Sequence, residues 1–248
     1  MIEIKSRYEI DLIREAGKVI AECHEALKTF IKPGITTMEI DEFVENFIRK
    51  HNMEPAQKGY KGYPFASCTS VNDVVCHGFP GQQILQDGDI ITVDMVTLHK
   101  GLHADSGWSY AVGHVNDTAR RLMEVTEASL YKGIEVSVIG NHISDIGHAI
   151  QTYVEGEGFS VVRDFIGHGI GRKMHESPEV PHFGLPGKGP RLKKGMVFTI
   201  EPMVNTGTYN VTVHDDGWTA RTADGGLSIQ YEHTLVVTEN GPEILTKL

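Results

Sequence analysis

Apolar residues recur at intervals of three and four in four stretches of the chain, and this spacing predicts four amphipathic helices. The first two begin with capping boxes at residues 6–9 (SRYE) and 36–39 (TTME), which satisfy the first free amides of a helix. The dipeptide Pro33-Gly34 ends the first helix, and Asn116 caps the third. The predicted helices lie within residues 6–33, 36–48, 116–133 and 143–158.

Shorter apolar or alternating runs bounded by turn residues predict the strands. They lie at residues 90–96, 102–112, 159–162, 196–201, 211–213 and 227–238. Two helices followed by strands occur twice along the chain, with no linker or low-complexity segment between the two occurrences. The pattern therefore predicts one α+β domain over residues 1–248, made of two similar halves around a mostly antiparallel sheet.

Composition and charge exclude several classes of protein. The 248 residues carry 23 basic and 33 acidic side chains, a formal net charge of −10, which disfavours a nucleic-acid-binding role. No apolar run approaches the roughly 20 residues of a membrane span, and the first residues lack the apolar stretch of a signal peptide. Three cysteines without metal-site spacing indicate a reduced environment. We therefore expect a cytoplasmic protein with no membrane or specific nucleic-acid partner.

Acidic residues stand inside two consecutive predicted strands, where apolar side chains are usual. Asp94 lies on the polar face of the strand at 90–96, and Asp105 lies in the strand that follows. A hairpin loop formed by His99 and Lys100 would place Asp94 and Asp105 directly opposite each other, with both side chains on one face. The sequence thus predicts that the two carboxyl groups share one site.

Two further acids, Glu201 and Glu232, occupy the later strands. Glu201 precedes Pro202 at the end of one strand, and Glu232 lies on the polar face of another. A lone acid in a strand indicates a solvent-facing residue, but four converging carboxylates repel one another and lose hydration unless cations neutralise them. Two divalent ions sharing a hydroxide are a hydrolase arrangement. The residues alone therefore predict a dinuclear metallohydrolase and identify no substrate.

Seven short motifs follow one another along the chain. They are residues 75–80 (VCHGFP), 92–94 (TVD), 103–106 (HADS), 167–172 (GHGIGR), 174–176 (MHE), 199–204 (TIEPMV) and 231–234 (YEHT). This ordered set, which extends over essentially the whole chain, resembles the type I methionine aminopeptidases. The resemblance implies the pita-bread (creatinase/aminopeptidase) fold, whose two pseudo-symmetric α+β halves agree with the repeated order of elements.

The resemblance also implies a set of metal ligands. They are Asp94, Asp105, His168, Glu201 and Glu232. In the family the equivalents of Asp105 and Glu232 bridge two divalent ions, for which cobalt, manganese, iron or zinc is expected. His168 stands between two glycines, whose missing side chains allow the backbone to approach a ligand closely.

The family mechanism implies the catalytic residues. A metal-bridging water attacks the carbonyl carbon of the first peptide bond, and Glu201 accepts and returns the proton. His175 stabilises the oxyanion, and His77 binds the substrate beside the scissile bond. The free α-amino group coordinates the ion on the Asp94 side. The implied activity is removal of the N-terminal methionine from nascent proteins and peptides, favouring a small second residue.

Substrate binding is implied for a further group of positions with aromatic and sulfur-containing side chains, which suit a thioether. This group is Tyr60, Tyr63, Cys68, His77, His175 and Trp218. A monovalent cation would bind main-chain oxygens at Asn72, Val74 and Ser228.

The other histidines and cysteines receive smaller roles. Cys68 and Cys76 are interpreted as packing residues rather than nucleophiles, and His103 and His233 as supports of neighbouring ligands. His182 is among the histidines to which the sequence assigns no chemistry.

Two alternatives stay open at this point. One is an aminopeptidase of the same fold with Xaa-Pro specificity, and the other is a non-catalytic pita-bread protein that only binds peptides. We expect a monomer that acts on the N-termini of nascent polypeptides. The basic residues Arg191, Lys193 and Lys194 are interpreted as a solvated turn, with ribosome docking as the alternative.

Overall fold

A computed structural model describes residues 2–248, and the four predicted helices are all present in it. They are α1 (Arg7–Phe30), α2 (Thr37–Lys50), α3 (Asp117–Glu135) and α4 (Ile143–Gly156). At the start of α1 the Ser6 hydroxyl accepts from the Glu9 amide, and a Glu9 carboxylate oxygen accepts from the Ser6 amide at 2.9 Å. Thr36 and Glu39 make the same reciprocal pair before α2. Both predicted capping boxes are therefore confirmed.

The strands are short, apart from one long hairpin. In chain order they are β1 (Glu54–Pro55), β2 (Cys68–Val71), β3 (Val74–Cys76), β4 (Ile90–His99), β5 (Leu102–Ala111), β6 (Ser160–Val161), β7 (Gly167–Gly169), β8 (Glu176–Val180), β9 (Val197–Ile200), β10 (Met203–Asn205), β11 (Val211–Val213), β12 (Ala220–Thr222), β13 (Ser228–Gln230), β14 (His233–Thr238) and β15 (Gly241–Ile244). Their pairings are antiparallel. The predicted antiparallel pairing is confirmed, but the strands form four sheets rather than one.

Each half of the chain has its own hydrophobic core. The first core packs α1 and α2 against β4 and β5, and the second packs α3 and α4 against β9, β13 and β14. Trp108 on β5 borders both cores, which joins the two halves through the sheet. This arrangement of two α+β halves agrees with the predicted fold. No helix within residues 2–248 combines the length and the apolar character of a membrane span.

The register predicted for the first hairpin is wrong, because the two-residue loop lies one position later in the chain than predicted. The loop is Lys100-Gly101, both with positive φ (48° and 82°), so Asp105 pairs with Val96 rather than with Asp94. A two-residue hairpin turn of this kind requires positive φ at both positions, and glycine adopts it without a steric penalty. Asp94 and Asp105 remain on the same face of the sheet but lie diagonally, because Asp94 pairs with Gly107.

The strand predicted at residues 227–238 is interrupted. It is divided into β13 and β14, with Tyr231 and Glu232 between them. The Glu232 amide leaves the ladder and donates to the Gly107 carbonyl oxygen at 2.7 Å. The interruption directs Glu232 toward the hairpin that carries Asp94 and Asp105.

Candidate metal centre

Five side chains with metal-binding chemistry line one cavity between the two halves of the sheet. Asp94 lies on β4, Asp105 on β5, His168 on β7, Glu201 directly after β9, and Glu232 between β13 and β14. The cavity has a volume of about 220 Å³. The structure therefore brings together all five residues that the sequence predicted as ligands.

The distances within this group suit shared cations. One ligand atom each of Asp105, His168 and Glu232 lies within 4.8 Å of the others. His168 Nε2 is 3.7 Å from Asp105 Oδ2 and 3.7 Å from Glu201 Oε1, too far for a direct hydrogen bond. Asp105 Oδ1 and Glu232 Oε1 are buried without any hydrogen-bond partner. Buried carboxylate oxygens without partners are costly, so these atoms fit the coordination of divalent ions.

Glycines make room for this cluster. Gly107 lies opposite Asp94, and a Cβ atom built there would be 3.3 Å from Glu232 Oε2. On either side of His168, a Cβ at Gly167 would lie 2.5 Å from the Thr199 carbonyl oxygen, and one at Gly169 would lie 2.3 Å from the Ser177 carbonyl oxygen. These two glycines allow neighbouring strands to approach β7 closely, and their predicted approach to a ligand stays a prediction.

In the absence of cations, the electrostatics of the cluster favour the neutral forms of its carboxyl groups. Burial raises the pKa of Asp94 to about 6 and the pKa of Glu201 to about 8. The pKa values of Asp105 and Glu232 are raised well above their usual range by burial and by the neighbouring carboxylates. Without cations, the cluster therefore retains protons that a metal ion would displace.

His168 is prepared as a neutral ligand. Burial lowers its pKa to about 4, so the ring is uncharged near neutral pH. Its Nδ1 donates to the Gly169 carbonyl oxygen at 3.0 Å, which leaves the Nε2 lone pair directed at the carboxylates. The sequence could not identify this orienting partner, because it is a main-chain oxygen.

The cavity also contains the positions predicted to bind substrate. It is lined by Tyr60, Tyr63, Cys68, His77, His175 and Trp218. The Tyr63 hydroxyl donates to main-chain oxygens, including that of Ser67 at 3.0 Å, so this ring forms a fixed wall. Cys68 and Cys76 are buried, and burial raises the pKa of both thiols, in agreement with a packing role.

Several residues in the cavity were missed from the sequence. They are Gln57, Lys61, Val96, Phe165, Ile166, Met203 and Gln230. Phe165 stacks edge-on against His77 with ring centroids 5.3 Å apart, and Gln230 Nε2 donates to Glu232 Oε2 at 3.4 Å. Gln230 and Glu232 share the polar face of one predicted strand, and this was the only signal that could have found Gln230.

Comparisons with known proteins agree with this geometry. Residues 11–239 match the model of metallopeptidase family M24. The chain belongs to metallopeptidase family M24. A methionine aminopeptidase from Clostridium perfringens is 53% identical over 246 residues, which cover 99% of both chains. The crystal structure of methionine aminopeptidase from Rickettsia prowazekii superimposes with a TM-score of 0.98 at 44% identity, covering 99% of this chain and 100% of that one.

The full-length relatives at 53% and 50% identity distinguish the alternatives left open by the sequence, because both are named methionine aminopeptidases. A prolidase from Pyrococcus furiosus superimposes with a TM-score of 0.79 but is only 21% identical, and this chain covers 65% of it. That likeness shows the shared fold alone, so it does not support Xaa-Pro specificity. A non-catalytic role is not supported either, because the cavity retains every predicted metal ligand. The protein is a metallopeptidase hydrolase.

Because the carboxyl groups of the cluster retain protons when no cation is bound, we expect the stability of the protein to depend on pH and on metal. A folded carboxyl with a raised pKa contributes stability below about pH 4 and loses it as pH rises through its folded pKa. The stabilising contribution of Asp94 is therefore lost as pH rises through about 6, and that of Glu201 is lost as pH rises through about 8. We expect the metal-free protein to lose thermal stability between pH 5 and 8, and Mn²⁺ to raise the melting temperature more at pH 8 than at pH 5. Equal Mn²⁺ effects at the two pH values, measured by calorimetry, would contradict the proton-retaining cluster.

His182 is a histidine to which the sequence analysis assigned no function. It is fully buried, and its Nε2 accepts a hydrogen bond from the Glu201 amide at 3.1 Å. Glu201 lies past the end of β9 and before Pro202, so no strand partner accepts from its amide. His182 therefore holds the backbone of Glu201 in place. The two residues are 19 positions apart, and no local pattern indicates their contact.

Replacing His182 tests this support. His182→Ala removes the acceptor for the Glu201 amide, and we expect Mn²⁺ affinity to fall by about 10-fold or more, as is usual when a group that orients a ligand is lost. His182→Gln, whose side-chain oxygen reaches a similar position, should restore most of the affinity. Titration calorimetry measures both, and an unchanged affinity in a folded His182→Ala variant would refute the role.

Proposed function

We propose that this M24 peptidase removes the N-terminal methionine from peptides and nascent polypeptides. The observation that carries the proposal is one cavity that combines five ligand-type side chains with aromatic and sulfur-containing walls. Relatives of about this length and 53% or 50% identity are named methionine aminopeptidases. A preference for a small second residue is part of the same proposal.

The proposed metal ligands are the five residues of the cluster. Asp94, Asp105, His168, Glu201 and Glu232 would hold two divalent ions. Four carboxylates and one imidazole suit manganese, iron or cobalt, and zinc also accepts this donor set. When bound, such ions polarise a peptide carbonyl and lower the pKa of water.

Glu201 is proposed to transfer a proton from the attacking water to the leaving amine. Oε1 of Glu201 accepts from the Thr199 hydroxyl at 2.7 Å, which fixes the orientation of the carboxyl group. A positioned carboxyl group beside the attacking water is effective in proton transfer. Glu201 would take a proton from the attacking water and return it to the leaving amine.

His175 and His77 are proposed to contact the scissile bond. The Tyr60 hydroxyl lies 2.9 Å from Nδ1 of His175, and the rings of His168 and His175 are 4.1 Å apart. Partial desolvation at the cavity mouth lowers the pKa of His175. If Tyr60 donates to Nδ1, the neutral ring carries its proton on Nε2 and offers it to a developing oxyanion. Burial also lowers the pKa of His77, which therefore acts as a neutral hydrogen-bonding group.

The methionine side chain is proposed to lie between aromatic rings and sulfur atoms. Trp218 meets Tyr63 edge-on with centroids 5.1 Å apart and meets His77 at 6.0 Å. Cys68 and Met203 complete the same wall. A thioether gains favourable contacts with ring edges, and a polar side chain of similar length would lose hydration there.

Peptide turnover tests the proposed function. In the presence of Mn²⁺ we expect methionine release from Met-Ala-Ser, and at least about 100-fold slower release from its N-acetylated form, because a site built for a free amine rejects an analogue without it. Chromatography of the released amino acid measures both rates. Equal turnover of the two peptides would refute anchoring through the free amine.

A third peptide distinguishes methionine removal from Xaa-Pro specificity and from a non-catalytic role. Ala-Pro-Ser is matched in length, and we expect no measurable hydrolysis of it. Faster cleavage of Ala-Pro-Ser than of Met-Ala-Ser would support Xaa-Pro specificity, and inactivity on all three peptides with Mn²⁺ bound would support a non-catalytic protein.

The remaining expectations extend this proposal. They include a monovalent cation at the main-chain oxygens of Asn72, Val74 and Ser228. For the basic turn, Lys194 pairs with exposed Glu239 at 2.8 Å, which favours the solvated turn over ribosome docking. Monomeric state, cytoplasmic location and the single domain stay predictions.

A further inference from the structure

A second cavity lies on the opposite face of the hairpin β4–β5. It has a volume of about 220 Å³, and its walls come from α1, α3, β5 and residues 233 and 246–248. Side chains alternate along a strand, so Asp105 and Gly107 face the metal centre while Ser106 and Trp108 face this cavity. The two cavities share no lining residue. The second cavity is therefore a separate candidate site.

Two aromatic rings and a histidine form its inner wall. The ring of His233 is 5.2 Å from that of Trp108 and 6.1 Å from that of Tyr131. At this size the cavity is smaller than the pockets that hold drug-sized ligands, and it matches a compound with a single ring. Aromatic walls favour a planar apolar body in such a space.

His233 leaves one polar atom without a partner at this wall. The Thr246 hydroxyl accepts from the Thr234 amide, so its own proton is free to be donated to His233 Nδ1 at 2.8 Å. When Thr246 donates in this way, the ring proton of His233 lies on Nε2, which is buried and has no hydrogen-bond partner. The other histidine in the wall, His24, has partners for both nitrogens. A ligand atom that accepts hydrogen bonds would satisfy Nε2 of His233.

The charges at the rim favour an anion. Lys28 is already paired with Glu25 at 2.6 Å. Lys247 instead lies over the Tyr131 ring, 5.8 Å from its centroid, and forms no ion pair with any residue from 2 to 248. Because a cation already covers the face of Tyr131, the aromatic wall is unsuited to a quaternary ammonium ligand. The available charge is positive.

We propose that this second cavity binds a small aromatic carboxylate, with its ring against Trp108 and its carboxylate toward His233 and Lys247. The ligand is independent of the peptide substrate, because it occupies the reverse face of the strand that carries Asp105.

Trp108 provides the measurement, since the chain contains only two tryptophans and the other, Trp218, lies in the catalytic cavity. In Mn²⁺-loaded Trp218→Phe protein, we expect benzoate to change the Trp108 fluorescence saturably. Benzamide, which has the same shape without the charge, should bind at least about fivefold more weakly. Saturating methionine, added to occupy the catalytic cavity, should leave the benzoate titration unchanged. A benzoate signal abolished by methionine, or equal affinities for benzoate and benzamide, would overturn the proposal.

Two lysines at the same rim give a matched pair of variants. In the Trp218→Phe background, Lys247→Met should weaken benzoate binding by about fivefold, whereas Lys28→Met should have less effect because Lys28 is already paired. Both side chains are exposed, so neither substitution threatens folding. His233→Asn keeps a hydrogen-bonding group near Thr246 and removes Nε2, and should weaken benzoate further. No saturable signal, or equal effects of the two lysine variants, would refute the site.

Discussion

Glu201→Ala is expected to reduce kcat for Met-Ala-Ser by about 1,000-fold or more in the presence of Mn²⁺, while the protein stays folded. The loss would combine a missing metal ligand with a missing proton carrier, and general acid–base catalysis alone commonly contributes about 100- to 10,000-fold. Folding should be retained because the substitution removes one of four mutually repelling buried carboxyl groups. Steady-state kinetics and thermal unfolding, measured on one preparation, test both parts.

The control for Glu201 is a second glutamate of the same sheet. Glu179 lies on β8 with its side chain exposed, outside the catalytic cavity. Glu179→Ala should leave kcat within about twofold, as expected for a surface substitution. A folded Glu201→Ala variant with near-normal kcat would exclude Glu201 from the reaction, whatever its metal content.

His175→Ala is expected to lower kcat by about 100-fold, with a smaller change in KM. Loss of one preorganised donor to an oxyanion costs about 100- to 1,000-fold in well-studied hydrolases, and it acts on the transition state more than on the bound substrate. Tyr60→Phe removes only the hydroxyl that orients His175 Nδ1, so its kcat should fall less. Kinetics at saturating and limiting Met-Ala-Ser separate the two constants.

An exposed histidine provides the control for His175. His148 lies on α4 away from the cavity, and His148→Ala should leave both kcat and KM unchanged. If His175→Ala raised KM alone, His175 would bind substrate without stabilising the oxyanion. An unchanged kcat in His175→Ala, with Tyr60→Phe also unaffected, would refute the proposed donor.

The hairpin β4–β5 shows how far a local pattern could predict the site. Alternation placed Asp94 and Asp105 on one face, and the structure agrees, because a two-residue periodicity depends only on each strand being extended. The partner of each residue was predicted wrongly, because pairing depends on which two residues adopt positive φ in the turn. Gly101 supplies one of them, and Lys100 adopts the other at some steric cost.

The contacts around Glu201 and Glu232 show where local patterns fail. His182 accepts from the Glu201 amide, and the Gly107 carbonyl oxygen accepts from the Glu232 amide, across separations of 19 and 125 residues. Each contact depends on where separate elements pack. A main-chain acceptor such as the Gly107 carbonyl oxygen cannot be recognised from residue type.

The sequence by itself determined the four helices, the caps of the first three, the α+β class and the chemical character of the site. These follow from periodicity and residue type, which act over a few neighbouring residues. The tertiary structure alone decided the register of the hairpin, the support of Glu201 by His182, the pKa shifts of the acids and the existence of a second cavity. Burial and long-range packing set these properties, because desolvation and contact geometry depend on groups that are distant in the chain.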